Sequence, residues 1–277
     1  MKVTFWGTRG SLASAGPETV RYGGDTACVQ VTGSDGTCVV LDAGTGIRRL
    51  GDALTTLSRI DVLLTHLHMD HIQGLGFFAP LFRAGMEVHI WGPQSTTQDL
   101  RARLTRYLSP PLFPIRMRDA ASNVIFHNAP DRPVRIGCLE IRAAEIVHPG
   151  PTVGYRIQEA STTVAYLSDH EPALGSTLDG PDASRWTSGA DLAAGADLLI
   201  HDMQYSPAER EQRIGWGHSS SLEAAAFARL VGARRLAGIH HDPGHDDAAV
   251  DRLIAEAAAA APDIGVFGAR EGSTIEI

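Results

Sequence analysis

The sequence predicts an α/β fold in which two β-sheets pack together and helices cover their outer faces. Short runs rich in Val, Ile, Leu and Thr recur from the first residues to the last, as is typical of strands. Segments with helical spacing interrupt these runs in the middle and near the end of the chain. In this arrangement each element buries its apolar face against another layer. Because no linker-like change of composition occurs, we expect one domain over residues 1–277.

The composition is that of an ordinary soluble protein. Hydrophobic residues make up 43% of the chain, and the formal net charge is -8, which disfavours a broad surface for binding nucleic acid. Three cysteines at irregular spacing exclude a disulfide framework and a zinc site of four thiolates. The first residues lack the pattern of a signal peptide, and no apolar run reaches about 18 residues. We therefore expect a cytoplasmic protein without a membrane segment.

The first 65 residues are predicted to be rich in strands. Four apolar runs bounded by Gly, Ser or Asp are Lys2–Trp6, Ala27–Thr32, Thr37–Asp42 and Ile60–Thr65. Between the first two, Arg9–Asp25 is a long loop containing Gly, Ser and Pro. Ordered loops of this length usually carry functional residues, so we expect this loop to lie near the functional site.

The middle of the chain alternates between helix and strand patterns. Ile72–Ala84 and Thr96–Leu108 have the spacing of helices, and the second ends before Pro110-Pro111. Glu87–Trp91 is predicted to be a strand. Pro110–Asn123 is irregular and rich in proline, which is compatible with a rim or lid over a cleft.

The second half is predicted to contain several strands and two strong helices. The strands are Val134–Val147, Thr152–Ile157, Thr163–Leu167, Leu198–His201, Arg235–His240, Val266–Phe267 and Thr274–Ile277. The helices are Leu222–Val231, for which the Ser219–Ser221 cluster supplies the N-cap, and Asp246–Ala261.

The most informative motif is His66-Leu67-His68-Met69-Asp70-His71, which directly follows the predicted strand Ile60–Thr65. Chance would place such an HxHxDH pattern in this chain with a probability on the order of 10⁻³. Imidazole nitrogens and one carboxylate suit Zn²⁺ or a similar divalent ion. Three His and one Asp within six residues exceed what one tetrahedral ion uses. Two ions, with further ligands from elsewhere in the chain, therefore fit the motif.

Further segments accompany this motif in a fixed order. They are Gly7–Ser11, Leu41–Gly46, His148, Gly154–Ile157, Tyr166–Asp169, Ile200–Asp202, Gly217–Ser220 and Ile239–Pro243. With these segments, nearly the whole chain resembles the metallo-β-lactamase superfamily, and more narrowly its ribonuclease Z and metal-dependent phosphodiesterase branch. The resemblance implies a four-layer αββα sandwich of two mixed β-sheets, with metal ions at one edge of the sheets.

The resemblance also implies the ligands of two divalent metal ions, Zn²⁺ before Mn²⁺ or Fe²⁺. The first ion would be held by His66, His68 and His148, the second by Asp70, His71 and a late His, and Asp169 would bridge both. His148 and Asp169 each follow a predicted strand, and ligands at strand ends converge on one sheet edge. The alternatives are a histidine in a surface loop and an aspartate that only forms a turn.

The late ligand is ambiguous, because His240 and His241 are adjacent. Adjacent strand residues point to opposite faces, so only one should reach the metal ions. Relatives place the ligand about two positions before a Ser-Pro-like pair, for which Asp242-Pro243 stands here. We therefore prefer His240, which leaves His241 to support the site or to pack away from it.

His218 lies in Gly217-His218-Ser219-Ser220, ahead of the predicted helix Leu222–Val231. In the ribonuclease Z branch a similar segment supplies a proton-donating histidine. An imidazole is a suitable general acid near neutral pH. The alternative is a histidine that only hydrogen-bonds the turn. Asp42 and Asp202 are expected to brace the site rather than to bind metal.

The resemblance implies a hydrolase in which a hydroxide bridging the metal ions attacks the substrate, with Asp70 and His218 as catalytic residues. We expect a phosphodiesterase for a small or cyclic phosphodiester. A lactone, thioester or amide hydrolase is the alternative, and a non-catalytic metal-binding module is a third reading. Processing of tRNA is disfavoured, because Ile157–Asp169 leaves room only for a hairpin where that enzyme carries an arm. A homodimer is compatible with the resemblance.

Overall fold

The computed structural model describes residues 1–174, 176–178 and 182–277. Two seven-stranded β-sheets face one another across an apolar core. In chain order the strands are β1 (Lys2–Gly7), β2 (Cys28–Thr32), β3 (Cys38–Leu41), β4 (Arg59–Leu63), β5 (Glu87–Gly92), β6 (Asn123–Asn128), β7 (Val134–Ile136), β8 (Leu139–Glu145), β9 (Val153–Glu159), β10 (Thr162–Leu167), β11 (Leu198–Asp202), β12 (Arg235–Ile239), β13 (Gly265–Gly268) and β14 (Thr274–Glu276).

The two sheets follow the same plan. The first has the strand order β14-β1-β2-β3-β4-β5-β6, and the second has the order β13-β12-β11-β10-β9-β8-β7. In the first sheet β3 to β6 run parallel, and in the second β10 to β13 run parallel. The other neighbouring strands pair antiparallel. Both sheets are therefore mixed, as predicted.

Helices cover the outer faces of both sheets. They are α1 (Ile47–Ala53), α2 (Met69–Ile72), α3 (Leu100–Tyr107), α4 (Ala183–Trp186), α5 (Ala190–Ala193), α6 (Pro207–Glu211), α7 (Ser221–Leu230) and α8 (Asp247–Ala260). Apolar residues of α1 and α3 pack on the first sheet, and those of α5, α7 and α8 pack on the second. The predicted four-layer αββα sandwich is confirmed.

The start of α7 is fixed by a capping box. The Ser220 hydroxyl accepts a hydrogen bond from the backbone N–H of Glu223, and the Glu223 carboxylate accepts one from the Ser220 N–H. Such reciprocal bonds satisfy the free donors of a first helical turn. The predicted serine N-cap is confirmed, and the helix begins at Ser221, three residues after His218.

Three element predictions need correction. Ile72–Ala84 is not one helix, because α2 ends at Ile72 and two short 3₁₀ turns follow. Gly74 packs so closely that a Cβ there would lie 2.0 Å from the Gly44 oxygen, and Pro80 has no N–H to continue a helix. Val134–Val147 forms the β7–β8 hairpin, in which Gly137 turns with a φ of 55°. β6 was not predicted, because it falls at the end of a proline-rich segment.

A membrane-spanning helix needs about 20 apolar residues, and none of the helices among the described residues meets that requirement.

Candidate metal centre

The HxHxDH motif follows the carboxyl end of β4, and Asp42 holds it in place through hydrogen bonds. One Asp42 oxygen accepts a hydrogen bond from the Thr65 N–H at 2.8 Å. The other accepts from His71 Nδ1 at 2.8 Å and from the Tyr166 hydroxyl at 2.9 Å. Asp42 itself has a φ of 59°, a conformation that tends to persist only where the surroundings hold it. Asp42 therefore fixes the loop and one face of His71, as predicted.

His66, His68 and His148 form one group of nitrogen donors whose ligand atoms all lie within 4.8 Å of one another. His68 Nδ1 is 3.1 Å from His148 Nε2. His148 Nδ1 donates to the Gly217 carbonyl at 2.9 Å, so its Nε2 carries a free lone pair in the neutral ring. Burial lowers the pKa of all three imidazoles, that of His66 most deeply. These rings are therefore neutral at pH 7, the form in which imidazole binds metal.

Asp70, His71, Asp169 and His240 form a second group. His240 Nε2 lies 3.2 Å from both Asp70 Oδ2 and Asp169 Oδ2. His71 Nε2 lies 3.2 Å from Asp70 Oδ2 and 3.0 Å from Asp169 Oδ1. Zn–N and Zn–O bonds of about 2.1 Å place the donors of one tetrahedral ion roughly 3.4 Å apart. The spacing within this group fits one such ion.

Asp169 connects the two groups. One of its oxygens faces His71, while the other lies 3.7 Å from His66 Nε2 and 3.9 Å from His148 Nε2. Within the described residues, the buried atoms His66 Nε2, His71 Nε2 and Asp169 Oδ1 have no hydrogen-bond partner. Buried polar atoms are normally paired, so unpaired nitrogen and oxygen atoms that converge on one space fit a metal-binding site. The residues present thus fit a pair of divalent cations.

The electrostatics of the second group also favour a cation. Burial by itself would lower the pKa of His71, but the surrounding carboxylates, Asp169 first, raise it well above its ordinary value. The same competition raises the pKa of His240 to about 9. Burial would raise the pKa of Asp169, yet the nearby imidazoles hold it well below its usual range. Positive charge is therefore stabilised here, whether protons or metal ions carry it.

Of the two adjacent late histidines, the structure turns His240 towards the centre. β12 ends at Ile239, and His240 follows with a φ of 60°. His241 faces away, where its ring packs edge-on against Tyr22 at 5.2 Å. The positive φ, rather than strand alternation, separates the two side chains, because His240 lies just beyond the strand. The metal-ligand role of His240 stays a prediction.

His218 lies beside both groups. Its Nδ1 is 2.7 Å from Asp202 Oδ2, and its ring stacks on His240 at 4.9 Å. A carboxylate only accepts hydrogen bonds, so this contact places a proton on Nδ1. The Nε2 atom makes no hydrogen bond within the described residues. Asp202 thus holds the ring with Nε2 available to a substrate.

Sequence reasoning missed several residues that support the centre. Gln204 Oε1 accepts from His240 Nδ1 at 3.0 Å, and the Ser11 N–H donates to Asp70 Oδ2 at 2.7 Å. Gly10 lies so close to His240 that a Cβ there would be 2.2 Å from Nδ1. The position of Gln204 just after the strand β11 was the one available signal. The Ser11 contact spans 59 positions and has no signature in the sequence.

Comparison with known proteins identifies the family of this chain. Residues 37–241 match the family model described as a Beta-lactamase superfamily domain. A ribonuclease Z of Synechococcus sp. is 30% identical over 73% of this chain and 77% of its own length. A ribonuclease BN of Cronobacter sakazakii is 26% identical over 95% of this chain and 96% of its own length.

Solved structures share the fold. The metallo-beta-lactamase fold protein YhfI from Bacillus subtilis has a TM-score of 0.72 at 23% identity, covering 99% of this chain and 98% of that one. The short form of human tRNase Z has a TM-score of 0.68 at 22% identity, covering 100% and 99%. The chain therefore belongs to the metallo-β-lactamase superfamily and is a metal-dependent hydrolase similar to the ribonucleases Z.

Proposed function

We propose that this hydrolase is a dinuclear phosphodiesterase that acts on a small or cyclic phosphodiester. The proposal depends on one observation: two groups of metal donors meet at Asp169, and the Asp202–His218 pair lies beside them. The ions would be held by His66, His68, His148, Asp70, His71, His240 and Asp169. Two divalent ions, Zn²⁺ before Mn²⁺ or Fe²⁺, would lower the pKa of a bound water and polarise a phosphoryl oxygen.

Asp70 is proposed to orient the attacking water. Its Oδ2 accepts a hydrogen bond from the Ser11 N–H at 2.7 Å and lies 3.2 Å from His240 Nε2, a spacing that suits two ligands of one ion. Its Oδ1 makes no hydrogen bond within the part of the chain that the structure describes. The carboxylate can therefore accept a hydrogen bond from water at Oδ1 while its other oxygen stays fixed.

His218 is proposed to protonate the leaving oxygen. Because Asp202 keeps a proton on Nδ1, the opposite nitrogen can carry a second proton and give it to the departing alkoxide. A phosphodiester needs this step more than an activated carbonyl compound does. His218 therefore distinguishes the proposed reaction from hydrolysis of a lactone, thioester or amide.

The substrate is proposed to be small, although relatives are named ribonuclease Z and tRNase Z. β9 ends at Glu159 and β10 begins at Thr162, so two residues connect them. The arm that the resemblance associates with tRNA processing has no room there. The net charge of -8 further weakens attraction to a large polyanion.

The test uses Zn²⁺- or Mn²⁺-loaded protein with bis-p-nitrophenyl phosphate and a panel of cyclic nucleotides. We expect turnover of at least one ester. We expect His218→Ala to lower the hydrolysis of cyclic nucleotides, whose leaving group is an alkoxide, by about 10²- to 10⁴-fold. The loss should be smaller for bis-p-nitrophenyl phosphate, because p-nitrophenolate leaves without a proton. His127→Ala, on the distant strand β6, is the matched control and should stay within about twofold of wild type. No turnover of any ester by protein of verified metal content would refute the proposal. Turnover of lactones or thioesters that survives His218→Ala would favour the carbonyl alternative.

A further inference from the structure

The loop Arg213–Gly217, which precedes His218, is fixed by one buried carboxylate. Glu171 accepts hydrogen bonds from the N–H groups of Gly215 at 2.9 Å and Gly217 at 2.8 Å. Arg210, also buried, donates to the same carboxylate at 2.6 Å. The two clamped amides lie on either side of Trp216, so the backbone that carries this tryptophan is held in one position.

The loop packs directly on the metal centre. Gly217 has a φ of 85°, and a Cβ on it would lie 2.3 Å from His148 Nδ1. Its carbonyl accepts the hydrogen bond that orients His148. Two residues span at most about 7 Å, so the Trp216 backbone lies within that distance of His218.

Trp216 is nevertheless 59% exposed. A chain of aromatic and cationic contacts leads from His218 to its indole. The Tyr205 ring is 5.9 Å from the His218 ring, and the Arg213 guanidinium lies 4.9 Å from Tyr205 and 5.9 Å from Trp216. Arg213 forms no ion pair with any carboxylate among the described residues. Arg213 donates to the Glu209 carbonyl at 2.9 Å, so the indole and the guanidinium lie together beside the loop that contacts the metal centre.

We propose that Trp216 is a stacking platform for the nucleobase of a nucleoside-containing phosphodiester, so that it sets the specificity of the site. The proposal rests on the phosphodiesterase function above. A rigid, exposed indole loses little freedom on binding, and stacking of one base on an aromatic side chain is worth about 1–3 kcal/mol. Arg213 adds a cation beside the stacked ring, where it favours the negative phosphate.

The experiment compares two esters that share one leaving group, thymidine 5′-p-nitrophenyl phosphate and methyl p-nitrophenyl phosphate. We expect Trp216→Ala to lower the ratio of their kcat/KM values, nucleoside over methyl, by about 5- to 150-fold, the equivalent of the stacking energy. Trp216→Phe should restore part of this ratio. Ile214→Ala, 56% exposed in the same loop, is the matched control and should leave the ratio unchanged.

If Trp216→Ala lowers kcat/KM equally for both esters, or for neither, Trp216 is not a stacking platform. An equal loss accompanied by a change of molecular mass in light scattering would assign Trp216 to an interface between copies of the chain instead. The proposed function fails only if the ester panel described above is also inert. If wild type hydrolyses neither of these two esters, calorimetry decides, because the platform predicts that Trp216→Ala weakens binding of adenosine 5′-monophosphate but not of ribose 5-phosphate. Unchanged affinity for the nucleotide would refute it.

Discussion

His240 and His241 share a peptide bond but lie in different electrostatic surroundings. His240 contacts the carboxylates of Asp70 and Asp169, and its φ of 60° turns it into the centre. Burial and the Arg9 guanidinium lower the pKa of His241 to about 3. Only the first ring is placed to exchange a proton for a metal ion.

Replacing each ring separately tests this difference. We expect His240→Gln to remove one of two Zn²⁺ binding events in calorimetry, because the second group loses its nitrogen donor. His241→Gln should retain both events and serves as the control. Loss of a binding event in His241→Gln alone would show that the ligand has been assigned to the wrong residue.

The affinity for metal should rise with pH, because His240 must lose a proton before it can bind an ion. With a pKa of about 9, His240 carries a proton at pH 7 in the metal-free protein, and metal must displace it. His66, His68 and His148 are neutral there. We expect the affinity of the second ion to rise between pH 6.5 and 9, with proton release measured by calorimetry in buffers of different ionisation enthalpy. Equal pH dependence of both ions would contradict this expectation.

At the scale of elements, the Arg213–Gly217 loop depends on the buried Glu171–Arg210 pair. Arg210 also donates to Glu223 at 3.0 Å, so neutralising Glu171 leaves it one carboxylate partner and weakens charge-assisted hydrogen bonds worth about 1.5–3 kcal/mol. We therefore expect Glu171→Gln to lower the free energy of unfolding by this amount in urea titrations. Glu211→Gln, exposed and close in sequence, is the control. A loss no larger than that of the control would show that the clamp does not hold the loop.

Elements that are defined by neighbouring residues could be predicted from the sequence, whereas elements that depend on contacts between distant residues could not. Most of the strands and the helix α7 were predictable, because alternation, apolar runs and a serine cap are local signals. Ile72–Ala84 failed because its glycines meet distant atoms: a Cβ on Gly76 would lie 2.4 Å from Phe113. Helical spacing alone does not reveal such tertiary contacts.

At the scale of the molecule, the metal centre joins the two sheets. His66 to His71 follow β4 of the first sheet, whereas His148, Asp169 and His240 follow strands of the second. An ion held by both sets binds the folded chain and not the unfolded one. At a free metal concentration 100 times Kd this stabilises the fold by about 2.7 kcal/mol. We expect chelation to lower the melting temperature, and restored Zn²⁺ to recover it in a concentration-dependent way. A melting temperature that chelation leaves unchanged would show that metal bound between the sheets does not stabilise the fold.

The seven proposed ligands were taken from the family resemblance, and the structure brings their side chains together in two adjoining groups. Their supporting contacts could not be predicted from the sequence, since Glu171 meets Gly217 across 46 positions and Ser11 meets Asp70 across 59. Such pairs are set by how the sheets face one another, which no local pattern encodes. The proposed role of Trp216 likewise could not be predicted from the sequence, because it depends on the hydrogen bonds of Gly215 and Gly217 to Glu171.

We expect this chain to hold two metal ions through donors from both sheets. Elemental analysis of protein loaded with Zn²⁺ and then freed of excess metal tests this expectation most directly. The result should be two ions per chain, and fewer in Asp169→Ala, which removes the carboxylate shared by both groups. Wild-type protein that is folded yet retains no transition metal would contradict it.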